Sequence, residues 1–370
     1  MLISLPMAFM TAFMFVGGIK PVEPLHLTAT AIAWAFYNAI FFLMAKTGET
    51  DRYRAVLFVT IALCFILVFA TGLVETRGSR VLSAADMAEG RTPFCHIVIP
   101  FVIIPAVLTR TIIFPGSMLE GFANIGTMLV IWLGGSLVMG RGWCGWACFY
   151  GGLDEGFSRL AKKRRIGRIG GHWTYLPFAV LAAMVLLSLA TLAPAYCVWL
   201  CPFKTVTEAP AITSAVGWLQ AGLFVALFLA LVVVLPFLTK RRTQCGLFCP
   251  FGAMQSFTNK MNVFEIRIDR EKCRDCGVCI EGCPTFSLNE QTVKEGRTRF
   301  TCTKCGRCVD ICPQGAVRYH LKGTPVKAAA GPVRMLFLYP VFLFTAVFTG
   351  GMVAGAVWRV LRLLATGRMI

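Results

Sequence analysis

Eight apolar segments run along this chain, at residues 2–19, 28–45, 55–74, 97–115, 121–139, 173–196, 216–238 and 335–358. Crossing about 30 Å of hydrocarbon takes roughly 20 residues of helix, and in lipid every backbone amide and carbonyl must find a partner within the protein. The pattern predicts an all-α polytopic membrane protein of about eight helices. A mean hydropathy of +0.70 with 15% charged residues excludes an ordinary soluble globule. The fourth segment is the weakest, because Pro100 and Pro105 interrupt it and Arg110 is charged. It reads as kinked or re-entrant, with Arg110 snorkelling to the interface. The first lacks the basic flank and small-residue cleavage site of a signal peptide and reads as a span.

A net charge of +18 would point to nucleic acid in a soluble chain, but here Lys and Arg mark the side of the membrane. They crowd one set of loops, with Lys162, Lys163, Arg164 and Arg165 after the fifth span and Lys240, Arg241 and Arg242 after the seventh. The positive-inside rule makes those loops cytoplasmic. Arg359, Arg362 and Arg368 fall on the opposite side under an eight-span count. No nucleic-acid partner is expected. The bias puts the polar insert at 262–323 in the cytoplasm.

That insert carries eight of the sixteen cysteines. Cys273, Cys276, Cys279 and Cys283, followed by Pro284, have the spacing C-x2-C-x2-C-x3-C-P, and Cys302, Cys305, Cys308 and Cys312, followed by Pro313, repeat it. In two-cluster ferredoxins three thiolates of one run wrap a cubane and the fourth ligand comes from the other run. The spacing therefore assigns Cys273, Cys276, Cys279 and Cys312 to one 4Fe-4S cluster, and Cys302, Cys305, Cys308 and Cys283 to another. Zinc sites use paired CxxC knuckles or histidines, not two four-cysteine runs each closed by proline. Strand-like pieces at 265–269 and 316–320 flank the runs, which makes the insert an α+β ferredoxin-like module. About sixty residues bury too little apolar surface to be secure without such ties. The chain then divides into N-terminal membrane helices (1–120), a membrane core (121–261), the ferredoxin domain (262–323) and a C-terminal helix with its tail (324–370).

Three pairs have C-x3-C spacing: Cys144 and Cys148, Cys197 and Cys201, Cys245 and Cys249. On a helix, i and i+4 share a face. The first and third pairs follow alternate spans, so they lie at the same boundary and could share a metal centre. The middle pair lies across the bilayer under this count and reads as a separate redox pair. Small packing residues in turns are the alternative reading of all three. Cys64 reads as packing. His26, His96 and His172 supply no convincing bis-histidine pair for a haem within the membrane.

The stretches CGWACFYGG and CGLFCPFGAMQ, with the two cysteine runs, resemble the NapH-type membrane ferredoxins of periplasmic nitrate reduction, the NosR regulators of nitrous oxide reduction and the polyferredoxin accessory proteins of cytochrome oxidase assembly. CPFKTVTEAP looks more like the NosR version. The similarity covers residues 132–313. It departs at Phe149, where the family usually has Pro, in the three spans that precede the family core, and in a length that leaves no room for a NosR-like flavin-binding domain. The resemblance implies an electron-transfer subunit, quinol dehydrogenase-like, that relays electrons between quinol or a membrane partner and a redox enzyme or cytochrome. The second class it implies is a maturation or regulatory factor that supplies electrons for metal-cofactor assembly.

Overall fold

The computed structural model describes residues 4–17, 23–76, 95–110, 125–167, 169–207, 214–325 and 330–369. Among the described residues six helices are long and apolar enough to cross a membrane: Pro24–Thr47, Thr50–Gly72, Ile125–Trp146, Gly171–Thr191, Ala215–Thr239 and Gly331–Thr366. The first and fourth apolar segments are helical but shorter, at Ser4–Phe15 and His96–Thr109. Two of the eight expected segments are thus short helices among the described residues. For the fourth the cause is local, since the helix carries Pro105 inside it and stops at Arg110, whose left-handed backbone (φ 56) ends the helical ladder.

The chain divides into two compact units. In the first, which comprises Met1–Val68, Gly135–Gly156 and Ser256–Ile370, the long helix Ala330–Thr366 packs along Pro24–Thr47, and Ser4–Gly17 packs against both. Ala29, Ala33, Tyr37, Phe41 and Met44 are buried at near-helical spacing on Pro24–Thr47, so one stripe of that helix faces its neighbours. Phe41 meets Tyr339 and Phe342 with ring centroids 5.1 Å apart in each pair. The Tyr37 hydroxyl finds Thr349 Oγ1 at 2.6 Å, which satisfies a polar group that would be costly to bury alone.

The polar insert also belongs to this unit. Strands β1 (Phe264–Ile268) and β2 (Val317–Leu321) pair antiparallel, with Phe264 opposite Leu321 and Ile268 opposite Val317. Phe264, Ile266 and Ile268 are buried in strict alternation, the mark of a strand with one face on a core. That core includes the membrane helix itself. Phe337 stacks on Tyr319 at 5.0 Å and meets Phe264 edge-on at 5.4 Å, so the module is docked on the terminal helix by both strands.

The second unit comprises Phe69–Gly134 and Phe157–Gln255. Its helix Ile99–Thr109 packs on Leu176–Thr191, and Ala215–Leu227 runs through a π-helical stretch, Phe228–Val234, into Leu235–Thr239. After each long helix here the chain doubles back. The amide of Ala195 donates to Ser188 Oγ at 3.0 Å, and Thr243 Oγ1 donates to the carbonyl of Leu231 at 2.8 Å. The segments that follow therefore lie beside the helices they leave.

Candidate functional site

Sharp turns bring the cysteine runs into place. Asp275, Gly277, Lys304 and Gly306 have positive φ, and each run then enters a short helix, Val278–Gly282 or Arg307–Asp310. Cys273, Cys276, Cys279 and Cys312 line one cavity with Val278 and Val317. Cys283, Cys302, Cys305 and Cys308 line a second with Ile266 and Leu288. The crossed grouping read from the spacing is the grouping around these two cavities.

Electrostatics follows the same division. Burial, then the neighbouring Cys273 and Cys312, push the Cys279 thiol up to about 11. Cys308 is raised by burial and then by Cys302, Cys305 and Cys283, with Cys279 a smaller cause, so the two cavities are neighbours. Thiolates crowded this way repel one another unless cationic iron sits between them. Among the described residues no three His, Cys, Asp or Glu side chains converge as they would on a single ion. A cubane suits that spread better than zinc, because each of its four irons takes its own thiolate. Backbone amides point at sulfurs of both sets, from Ile280 to Cys279, from Ser287 to Cys283 at 3.2 Å and from Lys304 to Cys302 at 3.4 Å. The donor set fits a pair of 4Fe-4S clusters.

The two cavities differ in setting. Cys276 is exposed and Cys273 and Cys312 are partly so, whereas Cys283, Cys305 and Cys308 are buried. The loop around the second cavity is pinned to membrane helices. Trp146 Nε1 and the Tyr319 hydroxyl both donate to the carbonyl of Lys304, at 3.1 and 3.0 Å. The Lys304 ammonium, which burial pulls down to about 7, donates to the Met139 carbonyl and to Asn259 Oδ1. Asn259 in turn donates to the carbonyls of Phe300 and Cys302, each at 2.7 Å. Gly306 packs against Thr50 and the Tyr319 hydroxyl at φ 84. A Cβ there meets both neighbours and a strained backbone at once. We predict that Gly306→Ala lowers the thermal midpoint of the full chain and its iron content together; parental values for both would contradict this packing.

The C-x3-C pairs do not lie on single helices as expected. Cys144, Cys197 and Cys245 sit in short helical turns, and Cys148, Cys201 and Cys249 follow them at the start of the next helix. Pro202 and Pro250 favour that break, since a residue before proline is pushed to extended backbone. Phe149, the departure from proline, still begins a helix and stacks on Phe65 at 4.1 Å. The second sulfur of each pair accepts backbone N–H bonds from the residues that follow it: Cys148 from Gly151, Cys249 from Gly252, and Cys201 from Phe203 and Lys204.

Cys144 and Cys148 belong to the first unit, and the other two pairs to the second. There the expectation that a bilayer separates the middle pair from the third is not met. Cys197, Cys201 and Cys249 all act electrostatically on Tyr196, whose hydroxyl accepts from Gln244 Nε2 at 3.4 Å and whose ring stacks on Phe101. The doubling back at Ala195 and Thr243 is the cause, because it carries both segments away from the ends of their helices. His96 is buried against Phe251, with ring centroids 4.9 Å apart.

Comparison with known proteins matches residues 265–313 to a 4Fe-4S dicluster domain, and residues 121–167, 173–213 and 221–269 to a 4Fe-4S binding domain. The chain is 31% identical over 194 residues to the regulatory protein NosR of Pseudomonas aeruginosa, covering 48% of this chain and 25% of that one. It is 26% identical over 166 residues to YccM of Escherichia coli, named for electron transport, covering 43% and 45%. With the methylamine utilization ferredoxin-type protein MauN of Methylorubrum extorquens it shares 27% over 191 residues, covering 50% and 59%. The chain thus carries 4Fe-4S domains and is similar to NosR, YccM and MauN, in line with the resemblance read from its cysteine motifs. It spans between 25% and 59% of the length of these three relatives. No solved structure matches it.

The three successive matches reveal a relation between the C-x3-C pairs that spacing alone left unread. Each match holds one membrane helix and one pair, so the pairs are one unit used three times. Sequence reading also missed Arg54, Asp51 and Glu155. The available signal was a charged residue immediately before an apolar run, together with the adjacent acids Asp154 and Glu155 after the first pair.

Proposed function

We propose that this chain is a membrane-bound electron carrier that holds two 4Fe-4S clusters, one by Cys273, Cys276, Cys279 and Cys312 and one by Cys283, Cys302, Cys305 and Cys308. The carrying observation is the pair of adjacent cavities lined by these crossed sets in a module docked on the membrane helix at Phe337. Such clusters, when bound, supply reversible one-electron uptake. The protein's own part is to gather the sulfurs around each cavity, to leave one site near water and to press the other against the membrane bundle. The reading continues to a relay between the quinone pool, or a membrane partner, and a redox enzyme or cytochrome. Its test is reduction of the full chain in liposomes with dithionite, followed by a quinone analogue. Faster reoxidation with the analogue than without supports the quinone link; equal rates contradict it.

The reading also puts the ferredoxin module in the cytoplasm of a bacterial inner membrane, supported by the Lys and Arg bias and by the need of exposed clusters for a reducing compartment. A reporter inserted at Gly323, with the chain complete on both sides, is expected to be active in its cytoplasmic form. Activity of an export-dependent reporter would overturn this side. A metal-binding or redox role for the C-x3-C pairs, Cys197 and Cys201 among them, belongs to the same proposal, supported by the domain matches over the three repeats. Replacing the six cysteines of the pairs by Ser should then lower iron per chain below the parent; unchanged iron contradicts a metal-binding role.

A second reading is favoured by the regulatory name of the NosR relative, in which the same electrons serve assembly or control of a respiratory enzyme's metal site. A deletion strain separates them. Loss of electron flow with a fully metallated enzyme favours the relay, and a metal-deficient enzyme favours assembly.

A further inference from the structure

The start of helix Thr50–Thr76 holds a charged group that cluster binding alone leaves unexplained. Arg54 is fully buried, and its guanidinium makes four hydrogen bonds. Nε donates to the carbonyl of Cys305 at 3.0 Å and Nη1 to the carbonyl of Gly145 at 2.7 Å, while Nη2 donates to Asp51 Oδ1 at 2.7 Å and Glu155 Oε1 at 2.9 Å. The first carbonyl belongs to a cysteine of the second run. The other lies between Cys144 and Cys148. At the same helix end the amide of Asp51 donates to Asp310 Oδ2 at 2.6 Å, between Cys308 and Cys312. Gly145 itself packs on the carbonyl of Thr303, with no room for a side chain.

Burying one cation with two carboxylates is costly and is tolerated only when each is paired. A planar fork of five donors can meet two carbonyls and two carboxylates at once; an ammonium cannot. Resting on the two-cluster reading above, we infer that Arg54 is a positioning residue that locks the Cys302–Cys308 loop onto the Cys144–Cys148 segment, and that the Asp51–Arg54–Glu155 group sets the reduction potential of the cluster held by Cys283, Cys302, Cys305 and Cys308. The described hydrogen bonds of Arg54 reach the second run, at the carbonyl of Cys305, and not the first. There the nearby ion pair is Arg270 with Asp275, which is exposed and screened by water.

The sign follows from the charges. One guanidinium and two carboxylates carry a net negative charge in a low-dielectric setting, which opposes the arrival of an electron. Glu155→Gln keeps the shape and an acceptor for Arg54 but removes one negative charge, so it eases reduction of the inner cluster. Arg54→Lys keeps the charge but loses the fork.

The experiment is an anaerobic redox titration of the full chain in detergent, with dithionite as reductant and EPR as readout. Cys276→Ser is made in parallel to identify the outer cluster's signal. Glu155→Gln is expected to raise the inner midpoint by about 59 mV, a tenfold change in the ratio of reduced to oxidised cluster, and to leave the outer midpoint in place. Arg54→Lys is expected to alter the line shape of the inner signal alone. Full iron with parental midpoints in Glu155→Gln, or an equal shift of both clusters, would overturn the inference, as would a parental inner signal in Arg54→Lys. Absence of any iron-sulfur signal in the parent overturns the two-cluster reading, and this inference with it.

Discussion

Replacing Cys312 with Ser is expected to remove the cluster wrapped by Cys273, Cys276 and Cys279, more than 30 residues earlier in the chain, and to spare the one wrapped by its own run. The cavity that Cys312 lines is the one formed by the first run, and Cys312 is among the groups that raise the Cys279 thiol. Loss of one cubane of two takes about half of the iron bound by the module. The reciprocal change, Cys283→Ser, should remove the cluster of Cys302, Cys305 and Cys308 instead. Iron analysis with EPR of both variants checks the pair of outcomes. If each substitution instead eliminated the cluster of its own run, the crossed arrangement would be wrong.

The second large effect is on stability. Arg54→Met deletes every donor that Asp51 and Glu155 receive from this side chain, and it leaves the carbonyls of Cys305 and Gly145 without their charged partner. Glu155 is wholly buried and Asp51 nearly so. Breaking a buried ion pair from one side costs about 3–5 kcal/mol, because the remaining charge stays in a medium that does not solvate it. Thermal unfolding in detergent, followed by circular dichroism, should show a drop of several degrees or more. The double change Arg54→Met with Glu155→Met should recover part of the loss, since it removes the stranded charge as well. A single variant as stable as the parent would mean that the group is hydrated and the junction loose.

The parts legible in the sequence are those governed by local spacing. The two cysteine runs gave the grouping seen around the two cavities because each run turns within a few consecutive residues, and the strands came out within one residue because alternation is a local signal. The fourth apolar segment was readable as weak from Pro105 and Arg110. What stayed hidden depends on partners far apart in the chain. Asp51 and Asp310 meet across 259 residues, and Arg54 and Cys305 across 251. Nothing in periodicity announces such a pairing. The C-x3-C pairs were misjudged for a related reason. Counting spans places a segment at one membrane face or the other, and it cannot represent a chain that doubles back, as this one does at Ala195 and Thr243. The i,i+4 rule failed there too, because proline after Cys201 and Cys249 breaks the helix between the two sulfurs.

The central claim, two 4Fe-4S clusters held by crossed cysteine sets in a membrane-docked module, is tested most directly by metal and sulfide analysis of the anaerobically purified full chain, with EPR during stepwise dithionite reduction. The account predicts at least about eight iron and eight acid-labile sulfide per chain, and two signals that broaden one another when both centres are reduced, because Cys279 and Cys308 are neighbours. Stoichiometric zinc, with no iron-sulfur signal after anaerobic reconstitution, would contradict it.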